Sequence, residues 1–266
     1  MAATTEQRKD PKSKPSVKEL QFLTTEAAND ASEGFDTKSA LEIARIINHE
    51  DAKVATAIRK ALPEIAQVID VVARQLRDGG RLIYVGAGSS GRIAALDASE
   101  CPPTYSTAPQ TVQYIMAGGP KALASAVEVN EDSRELGQRD IARRRPTRKD
   151  IVIGVSASGR TPYVVAAVEY ARARGAKTAC VTCNQDSELA TVAETCIVAE
   201  VGPEVVSGST RMKAGTAQKM MLNMITTGDD TTRLCVRKLD GQRTHEEFQA
   251  CRARHRNSDE GGKRRP

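Results

Sequence analysis

The sequence is poor in aromatic residues, and this scarcity limits the classes of function that fit it. The 266 residues include no tryptophan, three phenylalanines and five tyrosines. Surfaces that bind single-stranded nucleic acid usually stack the bases on aromatic side chains set among basic ones. The net charge is +5, and much of the positive excess lies in the two tails. We therefore expect no nucleic-acid partner.

Long apolar runs are also missing. No stretch approaches the roughly 18 consecutive apolar residues that suggest a membrane-spanning helix. The N-terminus lacks the charged, apolar and small-residue regions of a secretory signal. Residues 1–20 are polar, charged and proline-bearing, and we expect this tail to be disordered. These features predict a cytoplasmic protein with no membrane partner.

The chain contains six cysteines but lacks the context of a cysteine-based site. In a chain of this length without an export signal, reduced thiols are favoured over a disulfide framework. Cys180 and Cys183 form a C-x-x-C at the end of an apolar run, without the second pair that a zinc site needs. For Cys101 a packing role is the better interpretation. We expect neither a metal nor a cofactor.

What the chain does contain is a strand, a glycine loop and a helix in succession between residues 81 and 100. The apolar run RLIYV is typical of a buried parallel strand. The following GAGSSG segment includes Gly88, which permits close backbone approach, and two hydroxyls, Ser89 and Ser90, where the helix begins. Free N–H groups at such a helix end can hold an anion such as phosphate. Taken alone, the segment fits a tight turn equally well.

A second loop of the same kind follows another apolar run at residues 151–161. Its IVIGVSASGRT sequence carries the candidate ligand-binding residues Ser156, Ser158, Arg160 and Thr161. The next residue, Pro162, suits a first helical position. In doubly wound sheets, ligands bind beyond the carboxyl ends of the strands. Because both loops follow strands, we expect them to converge on one ligand.

Strand and helix patterns alternate along the chain. Apolar residues three or four apart predict helices from Val54 to Leu76 with a break at Pro63. Later segments predict strands at 111–116, 177–182 and 196–201, and helices at 121–129, 133–145 and 162–174. This alternation predicts an α/β fold with a doubly wound, mostly parallel five-stranded sheet and helices on both faces.

Four motifs carry a resemblance to a known family. GAGSSGR, LDASECPPTY, SASGRTPYV and GSTRMKAGTAQKMMLNM resemble the N-acetylmuramic acid 6-phosphate etherases, members of the sugar isomerase (SIS) superfamily. The resemblance covers about residues 23–227. It implies a SIS fold, a homodimer, and lyase activity on an amino-sugar phosphate. The implied reaction cleaves a D-lactyl ether at carbon 3 and yields N-acetylglucosamine 6-phosphate and D-lactate.

The resemblance also suggests how the chain is divided. We expect N-terminal helices at residues 21–62 and a SIS sugar-phosphate-binding domain at residues 63–228. An atypical tail at residues 229–266 is charged, lacks apolar periodicity and is expected to be disordered. Reading residues 234–243 in a shifted frame permits a decapeptide that resembles the etherase continuation, so we hypothesise a frameshift near Gly228. A copy truncated in this way would expose apolar surface and could be inactive.

Glu100 and Glu131 are the carboxylates that spacing singles out, although either could be a capping or solvated residue. The resemblance matches them to the two acidic groups of the etherases, in LDASECPP and EVNEDS. Elimination of a poor leaving group beside a weakly acidic carbon needs a base and an acid. Neighbouring carboxyls can hold different protonation states. We predict Glu100 as the acid and Glu131 as the base, with Asp97 and Glu128 as their rivals.

Two further observations bear on the reaction. Lys213, before the last predicted helix, could help bind an anionic ligand or serve only in packing. No histidine occurs between His49 and His245, so the histidine-assisted ring opening of SIS aldose–ketose isomerases lacks its reagent. This argues against an isomerase. The remaining alternative is a regulatory protein that binds sugar phosphates without turnover, as the related glucokinase regulatory proteins do.

Overall fold

The computed structural model of the protein describes its central part. The described residues are Thr25, 27–105, 107–125 and 130–228. The tails expected to be disordered, at 1–20 and 229–266, lie outside them, as does the hypothesised frameshifted sequence.

Two helices precede the sheet. Short 3-10 turns at Asp30–Ser32 and Phe35–Thr37 lead into α1, Ala40–Lys60, and α2, Leu62–Arg77. Ser39 begins α1 with a capping box, in which its hydroxyl accepts from the Glu42 N–H and the Glu42 carboxylate accepts from the Ser39 N–H at 2.8 Å. Pro63 lies in the first turn of α2, which confirms the predicted break. The sequence also predicts that the SIS domain begins at residue 63, after the N-terminal helical segment. This position coincides with the break, and the division into domains remains a prediction.

Five parallel strands form one sheet in the order β2-β1-β3-β4-β5. They are β1 Leu82–Gly86, β2 Val112–Met116, β3 Ile151–Val155, β4 Lys177–Thr182 and β5 Thr195–Val198. The strand order reverses between β1 and β3. The carboxyl ends of these two strands are therefore the topological switch point, where ligands bind in open parallel sheets.

The connecting helices cover both faces of the sheet. They are α3 Gly88–Tyr105, α4 Arg134–Arg144, α5 Pro162–Ala173, α6 Glu188–Val192 and α7 Lys213–Thr227. One apolar cluster contains residues of α1, α2, α3 and α7, and the other contains residues of α4, α5 and α6. Both β1 and β3 are buried along their whole length, as a position between two helical layers requires. The predicted doubly wound α/β fold is confirmed.

The helix predicted at residues 121–129 is wrong in its described part. The structure has a 3-10 helix at Gly119–Leu123, and residues 126–129 are not described. Gly118 and Gly119 both have positive φ, which produces a tight turn. The carbonyls of Ala122 and Leu123 accept from the side chain of Arg92. This tertiary contact uses carbonyls that would otherwise accept within an α-helix.

The part of the chain that the structure describes contains neither a membrane-spanning helix nor a metal cluster. No helix in this part is long and apolar enough to cross a membrane. Nor does this part contain a cluster of three or more potential metal ligands. The cysteines in this part of the chain are free thiols, and Cys101, Cys180 and Cys183 are buried.

Candidate functional site

The loops after β1 and β3 begin side by side. Gly86 at the end of β1 is the register partner of Val155 at the end of β3, and neighbouring strands lie about 4.8 Å apart. The first loop turns through Ala87 into α3, and the second runs from Ser156 to Thr161 into α5. The structure thus places both glycine loops at the switch point.

Glycines allow α3 to start directly on the end of β1. A Cβ at Gly86 would lie 2.7 Å from the Cα of Gly91, and a Cβ at Gly91 would lie 2.7 Å from a β2 methionine side chain. Gly88 has a φ of +50°. Ser89 and Ser90 are half-buried in the first turn of α3. The N–H groups of a first helical turn have no intrahelical acceptor, so this end of α3 suits an anion.

Hydrogen bonds hold the second loop in one conformation. The Ser156 hydroxyl lies 2.9 Å from that of Thr161 and accepts from the Gly159 N–H at 3.1 Å. The Ser158 hydroxyl accepts from the Arg160 N–H at 3.3 Å. Ser156 is only 3% exposed and supports the loop from inside, whereas the side chains of Ser158, Arg160 and Thr161 are half-buried. A loop ordered in advance loses little freedom when a ligand binds.

Glu131 lies at the junction of the two loops. A Cβ added at Gly88 would lie 3.9 Å from Oε2 of Glu131, so the carboxylate is next to the first loop. The Glu131 carbonyl accepts from the N–H of Tyr163 at 3.0 Å, in the first turn after the second loop. Ser133 then begins α4 by accepting from the Leu136 N–H at 3.1 Å. These contacts fix Glu131 between an α3 terminus and an α5 terminus. Its rival Glu128 is outside the described residues.

Glu100 lies toward the other end of α3. Residue 100 follows residue 88 by twelve positions, which corresponds to about 18 Å along a helix axis. The side chain of Glu100 is exposed and lines a cavity of about 350 Å³ with Lys219 and Asn223 of α7. Within one chain, the structure does not bring Glu100 and Glu131 together.

Asp97, the rival of Glu100, belongs to a buried network. Its carboxylate accepts from the Tyr84 hydroxyl at 3.0 Å and from the Thr226 hydroxyl at 3.1 Å. Burial raises the pKa of Asp97, although the two hydrogen bonds oppose this rise. These contacts join β1, α3 and α7, so the structure gives Asp97 a role in the packing of α3.

Lys213 lies in a buried ion pair. It is 1% exposed, and its Nζ donates to Oε2 of Glu50 at 2.6 Å. Asn29 donates to the same oxygen at 3.1 Å, and Lys53 contacts the other. Burial raises the pKa of Glu50, but hydrogen bonds from Lys213, Lys53 and Asn29 outweigh it and lower the pKa to about 2. The structure therefore shows Lys213 joined to α1 and not open to a ligand.

Two contributors to this region were not singled out from the sequence. Tyr163 acts through its backbone N–H, which no side-chain pattern reveals. Arg92 is the last residue of the GAGSSGR motif, and its place in that motif is the sequence feature that could have identified it.

The chain is similar to known proteins along most of its length. Residues 64–172 match the model of the glucokinase regulatory protein N-terminal SIS domain, and residues 142–228 match the SIS domain. The N-acetylmuramic acid 6-phosphate etherase of Photorhabdus laumondii is 51% identical over 209 residues, which cover 79% of this chain and 69% of that protein. The N-acetylmuramic acid 6-phosphate etherase 1 of Enterococcus faecalis is 54% identical over 209 residues, with 79% and 70% covered.

A solved structure shares the fold. The Vibrio vulnificus NanR protein complexed with ManNAc-6P superposes with a TM-score of 0.53 at 13% identity, over 79% of this chain and 73% of that one. At this low identity the likeness concerns the fold alone. The matches to the two etherases cover most of both chains. The chain therefore belongs to the N-acetylmuramic acid 6-phosphate etherase family.

Proposed function

We propose that this protein is a lyase that cleaves the D-lactyl ether of N-acetylmuramic acid 6-phosphate, yielding N-acetylglucosamine 6-phosphate and D-lactate. Membership in the etherase family supports the reaction. The observation that carries the proposal is the position of Glu131, whose carboxylate lies beside Gly88 and whose backbone is bonded to Tyr163. A base at this position faces the region where two phosphate-binding loops would present a sugar.

The two loops bind the phosphate in this proposal. The first offers the N–H groups at the start of α3 with the hydroxyls of Ser89 and Ser90. The second offers the hydroxyls of Ser158 and Thr161 and the positive charge of Arg160, which suits a phosphate. The shared fold with a protein solved with ManNAc-6P supports an amino-sugar phosphate as the ligand class.

Glu131 is the general base of the elimination. It removes the proton from carbon 2 of the open-chain aldehyde, and the adjacent carbonyl takes up the electron pair. The bond between carbon 3 and the ether oxygen breaks, and that oxygen takes a proton from the acid to become the hydroxyl of D-lactate. Water then adds to carbon 3 of the unsaturated aldehyde, and a proton returns to carbon 2. The net reaction is a hydrolysis that consumes neither oxidant nor reductant.

Glu100 supplies the acid in a homodimer. Glu100 lies about 18 Å along α3 from Gly88, and the Glu131 carboxylate lies beside Gly88. The two glutamates of one chain therefore cannot share a substrate. Leu96, one turn earlier on the same face of α3, is 47% exposed. A second copy that covers this face buries apolar surface and brings Glu100 to the loops of the other copy.

The substrate class places the protein in amino-sugar metabolism. N-acetylmuramic acid is a sugar of peptidoglycan, so the reaction belongs to N-acetylmuramate catabolism and peptidoglycan recycling. A phosphorylated sugar is charged and does not cross a bilayer unaided. This supports a cytoplasmic location.

Release of D-lactate from N-acetylmuramic acid 6-phosphate by the purified full-length protein tests the proposal. We expect equal amounts of D-lactate and N-acetylglucosamine 6-phosphate. The second candidate is a sugar-phosphate-binding regulatory protein, which the match to the glucokinase regulatory protein domain favours. Calorimetric binding of the substrate without lactate release would support this regulator. Absence of both binding and turnover would contradict both functions and support an inactive copy.

A further inference from the structure

We propose that Cys180 and Cys196 form an oxidisable dithiol, which hydrogen peroxide converts to a disulfide that closes a ring around the support of the second loop. The inference does not depend on the proposed reaction. The sequence draws attention to the C-x-x-C of Cys180 and Cys183, but the structure separates these two side chains. Cys180 belongs to the apolar cluster that contains residues of α4, α5 and α6, and Cys183 belongs to the cluster on the other face of the sheet.

The neighbour of Cys180 in space is Cys196 on the next strand. The two residues are register partners on the parallel strands β4 and β5, which lie about 4.8 Å apart. They face the same layer, because Cys180 belongs to its apolar cluster and Cys196 packs against that cluster. A disulfide joins residues whose Cα atoms lie about 4.4–6.8 Å apart and whose Cβ atoms point toward each other. The pair therefore meets the distance requirement with the strands in place.

The two thiols differ in exposure and in acidity. Cys180 is fully buried, whereas Cys196 is half-buried on the edge strand β5 and lines a cavity of about 190 Å³ with Gln185 and Glu200. A hydrogen bond from the Cys180 thiol lowers the pKa of Cys196, although burial opposes this effect. The same hydrogen bond and burial raise the pKa of Cys180. Since the thiolate is the reactive form of cysteine, oxidation begins at Cys196.

Two steps lead from the thiols to the disulfide. The Cys196 thiolate attacks one oxygen of hydrogen peroxide, the O–O bond breaks, and the departing hydroxide takes up a proton, which leaves a sulfenic acid. The Cys180 sulfur then attacks the sulfenic sulfur, an S–S bond forms and the S–O bond breaks. The departing hydroxide takes the Cys180 proton and becomes water. The two sulfurs together lose two electrons, and one peroxide is reduced to two waters.

The ring that this disulfide closes contains the residues that hold the second loop. It runs from residue 180 to residue 196. The N–H of Cys183 donates to the Ala157 carbonyl at 3.0 Å. The N–H of Leu189 donates to the Gly159 carbonyl at 2.9 Å. A cross-link removes conformations in which the enclosed segment opens away from its contacts. The oxidised protein should therefore hold the second loop more tightly than the reduced protein.

Peptide mapping of the full-length protein tests the pair. The reduced, folded protein is treated with hydrogen peroxide, then unfolded in an alkylating reagent and cut after lysine, arginine and glutamate. We expect the peptide 178–188, alkylated at Cys183, to be linked to the peptide 195–200, and dithiothreitol to release both. Absence of this linked pair at every peroxide concentration, or a link through Cys183, would overturn the inference.

Single variants separate the two steps. In Cys180→Ala the sulfenic acid at Cys196 has no neighbouring thiol, so dimedone should label it about tenfold more than in wild type. Cys196→Ser, at a half-buried position, should abolish the link. The matched control is Cys183→Ala, which removes the other buried thiol of the C-x-x-C and should leave the link intact. Equal dimedone labelling of Cys180→Ala and wild type would contradict the order of the steps, and loss of the link in the control would contradict the pairing.

Hydrogen–deuterium exchange measures the effect on the second loop. In oxidised wild type, peptides covering residues 156–161 should exchange about threefold more slowly than in the reduced protein. Peroxide should not change this exchange in Cys196→Ser. Equal exchange in the two forms of wild type would overturn the role of the ring in holding the loop. Because this readout needs no substrate, a protein that releases no D-lactate could still confirm it.

Discussion

At the residue scale, the proposed chemistry depends on one charge at Glu131. Glu131→Gln keeps the size of the side chain and removes its ability to accept a proton. We expect kcat to fall roughly a hundredfold to ten-thousandfold, with substrate binding retained. Glu194→Gln is the control, because Glu194 forms an exposed ion pair with Lys177 on the sheet. Wild-type turnover by Glu131→Gln would contradict the assignment.

Serine hydroxyls of the two loops should contribute to binding rather than to the chemical step. Ser89→Ala and Ser158→Ala each remove one possible hydrogen bond to the phosphate, and each should weaken binding by about 1 kcal/mol. This corresponds to a several-fold increase in KM with little change in kcat. Thr37→Ala is a suitable control, because the Thr37 hydroxyl donates to the Gly34 carbonyl at 2.8 Å in an exposed 3-10 turn before α1. An unchanged KM in both loop variants would argue against a shared phosphate site.

Single residues also mark the limit of what the sequence can predict. Spacing and motif indicated Ser158 and Glu131, because loop residues after parallel strands converge at one edge of the sheet. The partner of Lys213 could not be found in this way, since Glu50 is 163 positions away along the chain. Burial of a lysine is determined by tertiary packing, and local sequence carries no signal for it.

At the element scale, the Glu50–Lys213 pair joins α1 to the start of α7. Both side chains are almost fully buried, so Glu50→Gln leaves a buried ammonium without its counter-ion. We expect the free energy of unfolding to fall by about 3–5 kcal/mol. For comparison, Glu194→Gln breaks an exposed pair and should cost only about 0–1 kcal/mol. Urea denaturation of the two variants measures both values, and equal losses would contradict this account of the pair.

The same pair gives the stability a defined dependence on pH. The pKa of Glu50 falls from 4.5 to about 2 on folding, so the unfolded chain binds the proton at higher pH than the folded chain. The stabilisation is therefore present above pH 4.5 and is lost as the pH falls toward 2. Urea titrations across this range should show wild type losing more stability than Glu50→Gln. Parallel pH profiles for the two proteins would contradict the shift.

Elements differ in how well the sequence predicts them. The strands were located because a parallel strand between two helical layers is a continuous apolar run, as in β1 and β3. The 3-10 helix Gly119–Leu123 was mistaken for an α-helix, since the contacts of Arg92 with its carbonyls cross about thirty positions of sequence. Tertiary contacts of this kind override local propensity.

At the scale of the whole molecule, the proposed homodimer predicts complementation between inactive variants. Glu100→Gln and Glu131→Gln each disable every site of their own dimers. In a mixed dimer, one site would receive intact Glu100 from one copy and intact Glu131 from the other. Random re-association of equal amounts should restore about a quarter of wild-type activity, because half of the dimers are mixed and each has one intact site.

Two outcomes would contradict this arrangement. If mixing restores no activity although mass spectrometry detects mixed dimers, the two glutamates do not act across an interface. If the wild-type protein sediments as a monomer at micromolar concentration while active, the homodimer is not required. Leu96→Arg, which places a charge on the proposed interface, should weaken association and activity together.

The most direct test of the central claim is the fate of solvent atoms during turnover. N-acetylmuramic acid 6-phosphate is incubated with the full-length protein in ¹⁸O-labelled water and, separately, in deuterium oxide, and the products are analysed by mass spectrometry and NMR. Elimination followed by addition of water predicts ¹⁸O at carbon 3 of N-acetylglucosamine 6-phosphate, unlabelled D-lactate, and deuterium at carbon 2. Label in D-lactate, or binding of the substrate without either product, would contradict the account.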